Sequence, residues 1–288
     1  MKRCLVPLTG SQMNHAALDA AIALAARYHL TLIGLHVMVP DMVDMTGIGP
    51  AGTMGTGYVA PAEYALDAQA TQIKRQANET LLADFQQRCA QAGVDCEPTS
   101  EVDNAAKDIV YRAQHSDLLW LSREGLHAGQ TTWFSNFEHV VRESPIPVWV
   151  GGANQALPQR LTVAYDGHAQ ASGALEVAAS LSRAWRLPLD LLVIHEGLDD
   201  RQAQTTLRDA QAKLKALHSP PERAQVGAGH PTAALIQVTA PDALLVMGTH
   251  SHQPFLGFRR GHTVDDVLLS AQGPVLLCPK DAAQGGRS

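Results

Sequence analysis

The sequence predicts an α/β protein of two tandem doubly wound domains, residues 1–152 and 158–288, each with a mainly parallel five-stranded sheet. Three observations carry this. Val6-Pro7-Leu8-Thr9-Gly10 aligns with Val163-Ala164-Tyr165-Asp166-Gly167, and the match continues without a gap through Leu18 and Leu175 to Leu30 and Leu187, so one unit occurs twice. Within each unit, short apolar runs alternate with Ala-rich amphipathic stretches, the βαβ order that builds a parallel sheet with right-handed crossovers and helices on both faces. Runs such as Leu244-Leu245-Val246-Met247 are apolar throughout, as suits a strand covered on both faces.

In the first unit, the strand through Val6 is followed by a helix over 16–28 and a short strand over 32–36 that ends in His36. Residues 40–63 carry Gly47, Gly49, Gly52, Gly55 and Gly57 but no Gly-Lys-Ser/Thr, so they read as a flap or covering segment rather than a phosphate loop. A long polar-faced helix over 66–92 follows. Asp117-Leu118-Leu119-Trp120-Leu121 and Pro145-Ile146-Pro147-Val148-Trp149-Val150 close the unit. Residues 151–160, polar and broken by glycine and proline, read as the linker. The second unit repeats the plan, with a helix over 172–185, a strand over 189–195 and only residues 197–202 in place of the long loop. Asp242-Ala243-Leu244-Leu245-Val246 and Gly273-Pro274-Val275-Leu276-Leu277 match the closing strands of the first unit.

Composition narrows the class. An apolar share of 45% is that of a globular protein. A formal charge of −6 and a pI near 6.1 provide no electrostatic footprint for nucleic acid or an anionic membrane surface. Met1-Lys2-Arg3 leads straight into a short apolar run, and no stretch reaches membrane-spanning length, so a cytoplasmic protein with no membrane insertion is expected. Cys4, Cys89, Cys96 and Cys278 form no CxxC pair; Cys89 and Cys96 flank a helix end and could be near one another, but no structural bridge is expected in a reducing compartment. No Gly-x-Ser-x-Gly elbow, His-Glu-x-x-His helix or nucleophilic cysteine signature is present, so no catalytic residue is assigned.

Binding chemistry concentrates after the run 244–247. Gly248, Thr249 and Ser251 are small enough for backbone N–H groups to approach an anion, and Gly261 with Thr263 opens a helix whose apolar positions are Val264, Val267 and Leu268. Gly248, two residues, Ser251, nine residues and Gly261 together resemble the Gly-x2-Gly-x9-Gly-Ser/Thr nucleotide loop of the universal stress protein family. Ser251 stands where the second glycine is expected, and His262 where the hydroxyl residue is; Thr263 next door offers another hydroxyl. A serine costs little at negative φ and is penalised in a left-handed conformation. The resemblance implies an adenine nucleotide alpha hydrolase-like fold and an adenine nucleotide, ATP with or without Mg2+, in the second domain. It also implies that Asp166, at the end of the strand through Val163, contacts the nucleoside. Read from residues alone, Asp166 equally suits a cap on the following helix, and both roles are compatible. The candidate binding residues are therefore Asp166, Gly248, Thr249, Ser251, Gly261, His262 and Thr263.

In the first domain, the corresponding stretch 122–136 has no such glycine spacing, and Thr9 replaces the aspartate. Arg123 and Glu124 are expected to occupy the strand's mouth, with Trp133 and Phe134 adding bulk, so this site is expected to be closed to ATP or adapted to another ligand. Its Pro-Val-Trp ending and Asn-Phe-Glu-His-Val-Val-Arg-Glu-Ser helix are similar to the first half of the tandem E subclass of that family. The resemblance further implies a contact through the final strand, which a tandem chain can satisfy internally as a domain pair, with residues 148–150 against 275–277, while a further homodimer stays open. His250, His252 and His262 cluster on the second loop, with His168 and His195 placed to share its rim; loop histidines that meet phosphate, solvent or a partner are the simpler reading, and no metal is assigned. Arg259 and Arg260 suit either a triphosphate or solvent. Asp265 and Asp266, in the first helical turn, are expected to face away from a phosphate. The function expected is that of a nucleotide-binding regulator or sensor of stress in which slow ATP hydrolysis is incidental. The alternative is a scaffolding or hydrophobic-ligand-binding stress protein with both sites degenerate.

Overall fold

The structure, a computed structural model, describes residues 1–8, 12–38, 61–102, 105–123, 131–152, 156–194, 200–227, 229–249 and 263–279. In chain order, the first half comprises β1 (Arg3–Leu8), α1 (Gln12–Tyr28), β2 (Thr31–Met38), α2 (Pro61–Gln91), β3 (Cys96–Val102), α3 (Ala105–Ala113), β4 (Leu118–Ser122), α4 (Thr131–Glu143) and β5 (Val148–Gly151). The second comprises β6 (Arg160–Tyr165), α5 (Ala169–Trp185), β7 (Leu189–Val193), α6 (Asp200–Ala216), β8 (Arg223–Val226), α7 (Pro231–Gln237), β9 (Ala243–Gly248), α8 (Thr263–Ser270) and β10 (Val275–Cys278).

Several boundaries differ from the sequence reading. Helices α1, α2 and α5 begin earlier than their apolar positions suggested, because a first turn needs no buried face; Pro61, with no N–H to lose, opens α2. Gly151 and Arg160, read as linker, are the last and first residues of β5 and β6. β2 runs on past His36 to Met38, and the ring nitrogen Nδ1 of His36 bonds the Leu8 carbonyl at 2.9 Å.

Each half does contribute five strands, but they form one ten-stranded sheet in the order β3-β2-β1-β4-β5-β10-β9-β6-β7-β8. Every contact within a half is parallel, and the seam between β5 and β10 is antiparallel, pairing Val150 with Val275, Trp149 with Leu276 and Val148 with Leu277. The expected apposition of 148–150 and 275–277 is thus the centre of the sheet. Alternate residues of each strand feed opposite faces. On one face Trp120, Trp149, Leu244 and Val246 pack beneath α1, α2, α5 and α6. On the other, Leu119, Leu121, Leu245 and Met247 pack beneath α3, α4, α7 and α8. At the seam Tyr28 of α1 stacks on Trp185 of α5 with ring centroids 4.1 Å apart, Trp149 lies 6.2 Å from Trp185, and Trp120 stacks on Trp149 at 5.4 Å. Burial pushes the Tyr28 hydroxyl pKa up, against the opposing charge of Arg27. No described helix is long and apolar enough to cross a membrane.

The strand order reverses twice, between β1 and β4 and between β6 and β9, and such switch points open a crevice beyond the carboxyl ends of the strands. Because the seam is antiparallel, the two crevices face opposite ends of the sheet.

Candidate functional site

The second crevice is built where β6 and β9 run side by side, Val163 paired with Val246. Continuing that register places Asp166 next to Thr249, each just past its strand. Asp166 Oδ1 accepts the N–H of His168 at 2.9 Å, an Asx turn that steers the chain from β6 into α5. Gly167, between them, has φ +87°, a conformation in which a side chain is strained, and a Cβ there would lie a tight 3.1 Å from Thr206 Cγ2. The capping reading of Asp166 holds only in this limited form: its carboxylate binds the residue before the helix, and His168 is the N-cap residue. Among the described residues Asp166 Oδ2 has no hydrogen-bond partner.

Thr249 lies at the margin of the sheet. Its N–H continues the β9 ladder to the Cys278 carbonyl at 3.0 Å, its hydroxyl lies 3.5 Å from the same oxygen, and the residue is 5% exposed. The hydroxyl is therefore turned into the sheet margin. Gly248 ends β9, paired with Cys278, and Thr263 begins α8. Ser251, Gly261 and His262 lie outside the described residues, as do Thr9, Glu124, His195, His250, His252, Arg259 and Arg260, and residues 40–60 of the long loop. Asp265 is buried, 4% exposed, while Asp266 is half-buried. Asp265 follows Val264 onto the packed side of α8.

Two residues near this crevice escaped the sequence reading. Lys213 donates to the Tyr165 hydroxyl at 2.9 Å and lies 5.1 Å from that ring's centroid, bracing the last residue of β6. Lys213 and Thr206 are seven residues apart on α6, a two-turn spacing that could have linked them.

In the first crevice Arg123 does stand at the end of β4, its N–H bonded to the Gly151 carbonyl as that of Thr249 is to Cys278. Its guanidinium, however, crosses to the second half. Nη2 donates to the Gly273 carbonyl at 2.6 Å, and Nη1 to the Ala271 carbonyl, just past the C-terminus of α8, where a cation also suits the helix dipole. The matching turn of the first half is closed internally, Ser144 Oγ donating to the Ile146 carbonyl at 2.9 Å. Arg123→Ala is expected to lower stability by about 1–3 kcal/mol, since two carbonyls lose a charged donor, and Arg123→Lys to recover only part, because an ammonium does not span both. Urea midpoints equal to wild type in both variants would rule the bridge out as a support.

Among the described residues no group of three or more His, Cys, Asp or Glu is arranged to hold a metal. Cys4 and Cys278 are buried in strands, as expected, and burial raises both thiol pKa values.

The sequence model of the universal stress protein family matches residues 1–150 and again 158–279. A universal stress protein of Synechocystis sp. is 24% identical over 285 residues, covering 96% of this chain and 99% of that one. Among solved structures, a universal stress protein from Archaeoglobus fulgidus superimposes with a TM-score of 0.68 at 17% identity, covering 96% of each chain. One from Pseudomonas aeruginosa, described as a putative member of that family, superimposes with a TM-score of 0.58 at 14% identity, covering 98% of this chain and 95% of that one. At these identities the structural likeness concerns the fold.

Proposed function

The chain belongs to the universal stress protein family, as a tandem pair, and from that premise we propose that it binds an adenine nucleotide, ATP with or without Mg2+, in the crevice of its second half. The observation that supports this is the placement of Asp166 at the switch point between β6 and β9. Its Oδ1 is held by the His168 N–H, which fixes the carboxylate and leaves Oδ2 to accept from a ribose hydroxyl or the adenine amino group. At the far side of the crevice α8 begins at Thr263, whose hydroxyl and helix N-terminus suit a phosphate. The Thr249 hydroxyl does not fit the group as placed, and Asp265 is folded away inside the helix packing. Binding, rather than turnover, is the function we assign: occupation of the crevice biases the conformation of the second half or the surface it offers a partner in a stress response. Any ATP hydrolysis is slow and incidental.

A second reading, a scaffold or hydrophobic-ligand carrier in which both crevices have lost nucleotide, is favoured by the inward Thr249 and by Ser251 and His262 in the loop. The two readings separate in a melting experiment. Millimolar ATP with Mg2+ is expected to raise the Tm of the wild type by several degrees, about 2.7 kcal/mol of stabilisation at a hundredfold excess over Kd. Asp166→Ala is expected to abolish that shift while lowering the unliganded stability by only about 1 kcal/mol, the worth of the lost turn. A wild-type Tm indifferent to ATP overturns the nucleotide reading, and mass spectrometry of small molecules released on denaturation then identifies what the crevice carries instead.

A further inference from the structure

Away from both crevices, Cys89 occupies the last turn of α2 and Cys96 the first position of β3, the outermost strand of the first half. The chain reverses between them in a tight turn: Val94 N–H returns to the Cys89 carbonyl at 2.9 Å, and Gly93, at φ +66°, carries the backbone round. The reversal sets the two residues side by side, Cys96 packing against the buried cluster that includes Cys89. Both thiols are free; Cys89 is fully buried and Cys96 is half-buried. The contact is asymmetric in access. A small oxidant reaches Cys96, while Cys89 stands behind it.

We propose that Cys89 and Cys96 are a redox modification site that closes reversibly to a disulfide when the protein meets a hydroperoxide. The peroxide transfers one oxygen to the Cys96 sulfur, giving a sulfenic acid and releasing water or an alcohol. The Cys89 sulfur then displaces hydroxide from that sulfur, its own proton leaving with the hydroxide as water. Two thiols lose two electrons and two protons, and the peroxide O–O bond accepts them. Burial, and after it the neighbouring Cys96, push the Cys89 pKa up, which leaves the more accessible Cys96 as the first to meet the oxidant. Cys4 and Cys278, buried in strands of different halves, have no such partner and are expected to stay reduced. Closure ties the outermost strand to the helix that covers it.

The site is tested on the full-length protein by titration with hydrogen peroxide, alkylation of remaining thiols, and peptide mapping without reductant. Trypsin cleavage after Arg88 and Lys107 leaves both cysteines in one peptide. The expected result is loss of two of the four thiols, that peptide lighter by two hydrogens and refractory to alkylation, and full reversal by dithiothreitol. In Cys89→Ser the same treatment is expected to leave Cys96 as a sulfenic acid trapped by dimedone, with no crosslink. Overoxidation of Cys96 to a sulfinic acid without linkage in the wild type, equal modification of all four thiols, or no thiol loss would each overturn the proposal. The wild-type map decides it even if the serine variant folds poorly.

Discussion

Gly273→Ala is expected to cost more than about 4 kcal/mol and to prevent the second half from folding at ordinary temperature. A Cβ on Gly273 would lie 2.1 Å from the Ala240 carbonyl oxygen and 2.6 Å from that of Ala243. Both obstacles are backbone and cannot rotate aside. Ala243 N–H also bonds the Ala240 carbonyl, so the turn leading into β9 would move with it, and the loss spreads to the strand that carries Gly248. The Gly273 carbonyl is in addition one of the two groups held by Arg123. Soluble yield and the urea midpoint measure the effect; a midpoint within error of wild type would mean that the two turns do not approach so closely.

Trp149→Ala is expected to cost about 3–5 kcal/mol and to split unfolding into separate transitions for the two halves. Trp149 is 1% exposed, pairs with Leu276 across the seam, stacks on Trp120 and touches Trp185 of the second half, so its removal leaves a cavity where the halves are joined. Its indole nitrogen has no hydrogen-bond partner among the described residues, which makes the loss one of packing and dispersion rather than of a polar contact. Trp149→Phe is accordingly expected to recover much of the stability. A single cooperative urea transition in Trp149→Ala, with a wild-type midpoint, would show that the seam is held elsewhere.

The strands and their pairing were legible because apolar runs repeat at matching places in both units. Val148 and Val275 each follow a proline at the close of a unit, but their apposition was implied by the family resemblance and not by the repeat itself. Fusion into one sheet was less visible, since it depends on edge hydrogen bonding, and every residue type supplies the same backbone groups. The position of Asp166 could be read from the repeat, but its bond to the His168 N–H could not be distinguished from a helix cap by spacing alone. The bond from the Thr249 N–H to the Cys278 carbonyl was not visible either, since a small residue after a glycine suits a phosphate loop and a strand extension equally well. Arg123 stands where expected, but its reach was hidden. Its acceptors are carbonyls of Ala271 and Gly273, far along the chain, and a backbone oxygen leaves no mark in composition.

The antiparallel seam has a consequence for how such a chain can change. Two separate identical subunits joined edge to edge would have to repeat every contact about a rotation axis, so any substitution would appear twice and need to suit its own twin. One polypeptide is released from that rule. Arg123 reaches over from one side only, while the opposite turn is served by its own Ser144, an arrangement no homodimer could inherit. Each crevice can thus diverge while the other keeps its chemistry, and the join between them survives.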